Sequence, residues 1–378
     1  MASCDTVPVN VASIERELRN LWRHEAEDEQ ARSGQPVVCA RTLNLLIYPA
    51  ETENPEFIAE LMDPITTRHP SRAVLIEPAR PDATAEFEAR VSASCAARQG
   101  TGVLGCELIM LRSRPCAYEK IHSIVLPLLV PDLPIFLWWR KPLAGKKAIA
   151  ARERELFDGL VKLANRVIID SAHLSDPAAQ IHKLAESIRV KRVHAAFSDL
   201  AWARLTMWRQ LIAQFFDGPN ITYVNRVTEV AIQYGADEVV PPEPLLLAGW
   251  LASRLNWDLP QNTTPWKQGE AHELTLVRNG GQVRLRFEPV EVPDIEGVMS
   301  VKITAENNGA AEFSVSRRKG VDGFTASISK QGEAPMHRMV RGREISTAEM
   351  VSKELEILQH DLLYEEALNA AASLTGNS

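Results

Sequence analysis

The chain reads as an α/β N-terminal domain with a mixed sheet, residues 1–195, followed by an α+β C-terminal domain, residues 196–378, built on an antiparallel meander and a terminal helix. Three patterns carry that expectation. Helical stretches alternate with short, wholly apolar runs up to about residue 190, the signature of strands buried on both faces. From 272 to 330 the period drops to two: Val283, Leu285 and Phe287 alternate with Gln282, Arg284, Arg286 and Glu288. Ser346 and Glu349 then have the spacing of a capping box ahead of Val351, Leu355, Leu358 and Leu362.

In chain order, Ile14, Leu18, Leu21 and Trp22 set the apolar face of a first helix. ARTLNLLIY is a strand, NPEFIAELMDPITTRH a helix that Pro64 should kink or shorten, and RAVLIEP a buried strand. EARVSASC and CELIMLRS are two more strands around a Gly-rich turn. Tyr118–Val130 reads as a helix, PIFLWW as a strand, ARERELFDGLVKLA as a helix, RVIIDS as a strand and DPAAQIHKLAESIR as a helix. Beyond these, SDLAWARLTMWRQLIAQFFDG reads as one long helix, ITYVNRVTEVAIQYG as a strand and PEPLLLAGWLASRLNW as a helix. NGG at 279–281 and NNG at 307–309 supply hairpin turns. The final apolar stripe is expected to cover the meander.

Composition narrows the function. The chain has 378 residues, 42 basic and 49 acidic, for a formal net charge of −7, which argues against a general nucleic-acid binder. From Ser346 onward, six carboxylates face the single Lys353. IVLPLLVPDLPIFLWW is broken by three prolines and Asp132, so it is core and no membrane span is expected. The opening MASCDTVPVN is polar, without a secretory pattern, and the five cysteines (Cys4, Cys39, Cys95, Cys106, Cys116) include no CxxC. A cytoplasmic location with reduced thiols is expected.

Catalytic motifs are sparse. GTGVLG at 100–105 matches a dinucleotide fingerprint in letters, but a strand follows where the chemistry needs a helix, so no cofactor is expected. GKK at 145–147 lacks the rest of a phosphate loop, and the nine histidines show no metal-ligand spacing. Three clusters remain. Arg68, His69 and Arg72 could hold an anion, although Pro70 ending a helix is the plainer account. Trp138 and Trp139, followed by Arg140 and Lys141, point to opposite faces of a strand; either both are core, or one indole is exposed beside a cation as a partner-binding hot spot. Trp202, Arg204 and Arg209 lie off the core stripe of their helix, where they are either solvated or in contact with a partner or the other domain.

HPSRAVLIEP, LPLLVPDLPIFLWWRKP, SDLAWARLTMWR and LLLAGWLASRLNW, in that order, resemble the glucose-6-phosphate dehydrogenase assembly protein family, OpcA; IERELRNLW and ARTLNLLIY resemble its beginning. The resemblance implies a non-catalytic accessory protein whose partner is glucose-6-phosphate dehydrogenase, the entry enzyme of the oxidative pentose phosphate pathway. It also implies, for photosynthetic members, thioredoxin control through cysteines near the C-terminus; this chain has none after Cys116. The competing reading is a phosphosugar-binding α/β enzyme using Arg68, His69 and Arg72. A nucleic-acid factor using IRVKRVH and MHRMVRGR is a third, disfavoured by charge.

Overall fold

The computed structural model describes residues 5–8, 11–33, 37–38, 41–50, 55–79, 85–98, 102–144, 149–172, 176–190, 195–235, 240–259, 270–291, 297–317, 323–343 and 345–375. The chain begins with β1 (Asp5–Pro8), α1 (Val11–Ser33), β2 (Val37–Val38), β3 (Leu43–Tyr48), α2 (Pro55–Arg68), β4 (Ser71–Pro78) and the hairpin β5 (Phe87–Arg98) and β6 (Gly102–Ser113). It continues through α3 (Ile121–Val125), β7 (Ile135–Trp139), α4 (Ala151–Val161), β8 (Arg166–Ile169), α5 (Pro177–Val190) and β9 (Ala196–Asp199). These strands form one nine-stranded mixed sheet in the order β1-β5-β6-β4-β3-β7-β8-β9, with β2 beside β6. β6, β4, β3, β7, β8 and β9 run parallel; at one edge β5 runs antiparallel to β6, and β1 antiparallel to β5.

The second half contains α6 (Leu200–Arg204), α7 (Thr206–Phe215), β10 (Val227–Gly235), α8 (Pro242–Arg254), β11 (His272–Arg278) and β12 (Gly281–Val290). Then come β13 (Gly297–Glu306), β14 (Ala310–Arg317), β15 (Gly323–Lys330), β16 (Met336–Arg341), α9 (Thr347–Glu354) and α10 (Leu362–Thr375). Its seven-stranded sheet has the order β11-β12-β10-β13-β14-β15-β16. The antiparallel meander is there, turning at Gly280 and at Asn308-Gly309, all with positive φ. β10 wedges into it, parallel to β12 and antiparallel to β13.

Three local expectations are corrected. Tyr118–Val130 is not one helix: α3 is five residues long and flanked by 3-10 turns, because Pro127 and Pro131 deny the ladder its donors. The long helix from Ser198 breaks at Leu205 into α6 and α7, and its first residues belong to β9. Pro64, conversely, sits inside α2 without ending it before Arg68.

The fourth correction has the largest consequence. The capping box forms as expected, Glu349 N donating to Ser346 Oγ at 3.3 Å. The helix it starts, however, stops at Glu354, and its stripe does not cover the meander. Val351 and Leu355 pack with Leu45, Ile47, Leu75 and Trp138 on the first sheet, alongside Ile58 and Ile65 of α2. The chain then turns and resumes as α10, which lies against α8 and α5. α8 is apolar on nearly every side, and ten of its residues are buried. Its Gly249 sits under α10 so closely that a Cβ would lie 2.2 Å from the Ala367 carbonyl oxygen.

Candidate partner-binding surface and the filled sheet edge

In open α/β sheets ligands settle outside the carboxyl ends of the parallel strands, where the strand order reverses. Here the chain runs outward from β3 through β4, and outward on the other side from β7 through β8 and β9, so that point lies between β3 and β7. Side chains of the chain itself fill it. Tyr48 ends β3 and Trp139 ends β7, and their rings stack at 4.2 Å with planes 6° apart. Phe157 meets Trp139 edge-on at 4.9 Å, and the Trp139 indole N–H donates to the Lys141 carbonyl at 3.0 Å. Buried Lys141 pairs with Glu153 at 2.7 Å, and the Tyr48 hydroxyl donates to the same carboxylate at 2.7 Å. Burial lifts the Tyr48 hydroxyl above the usual phenol range, so it stays a donor. Burial opposes charge on Glu153 too, but hydrogen bonds from Lys141 and Tyr48 bring its pKa below normal. In sequence, no glycine stands between Tyr48 and Pro55, two glutamates (Glu51 and Glu53) do, and α2 opens on a proline, which lacks an N–H. The GTGVLG stretch enters β6, not a helix.

Trp138 and Trp139 are 0% and 1% exposed. The expectation that one indole reaches the surface is therefore corrected: helices cover both faces of β7, so each indole has its own core layer. The half-exposed Arg140 guanidinium lies 4.5 Å over the Trp138 ring. GKK, Cys4 and Cys39 fall outside the described residues, as does the Cys95 side chain.

Arg68, His69 and Arg72 do not converge on one anion. Arg68 is exposed at the end of α2. His69 turns toward Glu356, 4.0 Å away, and burial depresses its pKa. Arg72 turns inward to Glu107 and Glu15, each at 2.6 Å, and to the Leu128 carbonyl at 2.8 Å. Glu107 also accepts from Arg41 and from the Trp22 indole. Nε and Nη1 of Arg72 are spent on two carboxylates and a carbonyl inside the fold, away from Arg68.

Trp202 and Arg209 assemble around the connection between α9 and α10, whereas Arg204 turns away to Asp170. Trp202 donates to Asp361 at 2.9 Å, and the Arg209 guanidinium sits 3.3 Å over its ring. Burial lowers Arg209 to about 10. Arg166 reaches across from β8 to Glu354 at 2.6 Å and to the Gln359 carbonyl at 2.8 Å. Asp361 caps α10 by accepting from the Tyr364 N–H at 3.0 Å. Between these ties, Ile357, Leu358, Leu362 and Leu363 are 43–65% exposed. Leu358 and Leu362 were expected in a buried stripe; the one sequence signal against it was Asp361, a capping residue within the apparent helix. The result is an apolar patch on a pinned backbone, a composition typical of contact surfaces.

Beneath it lies a buried acidic cluster. Asp199 accepts from the Ser171 hydroxyl at 2.6 Å and caps α6 through Ala201 N at 3.0 Å. Arg204 grips Asp170 with two bonds of 2.8 and 2.7 Å and lies 3.9 Å from Glu243. Burial raises Asp199 to about 6 and Glu243 to about 7. A carboxyl whose folded pKa is raised contributes fully below its unfolded value, and that stability is lost as pH climbs through the folded one. Glu243→Gln is therefore expected to raise the melting temperature by roughly 2–4 °C at pH 8 and to leave it unchanged near pH 4. A pH-independent difference between variant and parent in thermal melts would defeat this account.

Two family models align with most of the chain: the glucose-6-phosphate dehydrogenase subunit N-terminal domain over residues 62–186, and the corresponding C-terminal domain over residues 195–368. The chain belongs to the OpcA family. Proteins carrying the name OxPP cycle protein OpcA are similar to it in Nostoc punctiforme, 27% identical over 330 residues, 83% of this chain and 67% of that one. In Synechococcus elongatus the identity is 28% over 333 residues, 83% of this chain and 70% of the relative. OpcA membership thus connects the chain to glucose-6-phosphate dehydrogenase assembly in the oxidative pentose phosphate pathway. Among solved structures, the WlbA dehydrogenase of Thermus thermophilus overlays 88% of this chain and 94% of its own at a TM-score of 0.43 and 12% identity, too loose to bear on activity. No helix among the described residues is long and apolar enough to cross a membrane.

Proposed function

We propose that this chain is a non-catalytic accessory protein that binds glucose-6-phosphate dehydrogenase and promotes its assembled, active form. The observation that carries this reading is the crevice between β3 and β7. Tyr48, Trp139, Lys141 and Glu153 occupy it with one another, the sequence between Tyr48 and Pro55 holds no glycine, and Pro55 removes one of the N–H donors at the start of α2 that a phosphate would use. Family membership supplies the partner. The apolar patch at 357–363, beside Arg209, is our candidate contact face. Trp138, Trp139 and Lys141 act behind it as scaffold.

A protein that binds an active assembly better than its parts shifts the population toward that assembly. Saturating amounts of the chain are expected to raise the cognate dehydrogenase's activity and its assembled fraction, read by steady-state kinetics and light scattering. The chain alone should turn over no glucose 6-phosphate. Unchanged dehydrogenase kinetics and mass at saturation would refute the proposal.

A further inference from the structure

β16 closes one edge of the second sheet. It pairs with β15 through Phe324↔Val340, Ala326↔Arg338 and Ile328↔Met336, and no described strand pairs with its other side. Met336–Met339 and Arg341 are exposed, with Met339 at 67%. An open row of backbone donors and acceptors is a template for another strand, and proteins usually cover it. Here it borders a groove of about 410 Å³ between β16 and α7, with Met207, Leu211 and Val340 apolar and Gln210, Gln214 and Arg338 polar.

The charges say what kind of segment fits. Several cations elsewhere on this sheet have carboxylate partners: Arg284 with Glu229, Arg286 with Glu288, Lys302 with Glu312. Arg343, just past β16, pairs with Glu349. On β16 itself, Arg338 donates at 2.5 Å to the neutral Gln214 amide, and neither Arg338 nor Arg341 faces a carboxylate among the described residues. A second copy of this edge would bring only more cations, and like charges across a ladder repel. A nucleic acid would find no aromatic platform on the strand, in a chain of net charge −7. An extended acidic segment satisfies both the backbone and the arginines.

We propose that β16 and the α7 groove form a strand-addition site for an extended segment of the dehydrogenase. That segment places carboxylates opposite Arg338 and Arg341 and an apolar side chain in the groove against Met207 and Leu211. The partner's identity rests on the accessory reading above; the mode of docking rests on the edge itself.

The test is hydrogen–deuterium exchange of the full chain with and without saturating cognate dehydrogenase, together with binding by the Arg338→Glu/Arg341→Glu double variant. Amides within 336–341 are expected to slow at least about tenfold in the complex. The double variant should melt like the parent and bind about 30-fold or more weakly, a loss that shrinks in high salt. Full affinity in the variant, or binding without added protection over 336–341, overturns the proposal while leaving the accessory role intact. An unaltered chain that does not bind the dehydrogenase overturns both. Protection of the same amides by a 20-nucleotide single-stranded DNA, or by raising the chain's own concentration, identifies a different occupant and also overturns it.

Discussion

Trp139→Ala is expected to lower unfolding stability by about 3–5 kcal/mol, because it empties the aromatic stack that fills the sheet's crevice. Tyr48 loses its stacked neighbour, Phe157 its edge contact, and the Lys141 carbonyl its donor. Tyr48 and Lys141 share Glu153, so loosening the stack also loosens a buried ion pair. Trp138→Phe provides the contrast. The Trp138 indole N–H is buried without an acceptor among the described residues, so removing it costs little beyond the smaller ring, about 1 kcal/mol. Denaturant melts of the two variants decide the matter. Equal losses would show that the two tryptophans do not occupy different environments.

Glu107→Ala should be as damaging, about 3–5 kcal/mol, since it takes the buried acceptor from Arg72, Arg41 and the Trp22 indole and leaves buried Arg72 only the more exposed Glu15 as counter-charge. Arg72, Arg41 and the Trp22 indole all donate to this carboxylate, joining α1 to the sheet. Burial opposes charge on Glu107, but hydrogen bonds from Arg41 and Arg72 hold its pKa below the usual carboxylate range. A group with a depressed folded pKa contributes above its unfolded value and loses that contribution as pH falls through the folded one. The parent's advantage over Glu107→Ala should therefore be full at neutral pH and fade on acidification below about pH 4. An advantage that persists undiminished at pH 2 would show that the loss reflects packing and not charge.

Much of the architecture was legible because it is periodic. Leu43–Tyr48 and Ser71–Ile76 are buried at every position, and such runs announce strands covered on both sides. The alternation in β12 and the turns at Gly280 and Gly309 announced the meander. What escaped was long-range. Nothing near Val351 or Leu355 tells which of two sheets their stripe will cover, and a helix-period pattern ran unbroken over a cap at Asp361. The inward pairing of Arg72 escaped for a related reason. Its partners Glu15 and Glu107 lie 57 and 35 positions away. β10 was recognisable as a strand, but its place between β12 and β13 depends on a crossover that local pattern does not encode.

The return of α9 and α10 to the first sheet sets a schedule for biosynthesis. Arg166 waits for Glu354, 188 positions later, and His182 for Thr375, 193 positions later. At about 5–20 residues per second, the face bearing Phe136, Trp138 and Ile168 emerges from the ribosome about 10–40 s before its cover. During that interval the nascent chain displays its Ile135–Trp139 strand with α2 and the short α6 as partial shield on that side. Its first half cannot finish maturing as an independent unit, and a factor that holds nascent chains has its longest opportunity there, before residue 347 has been made.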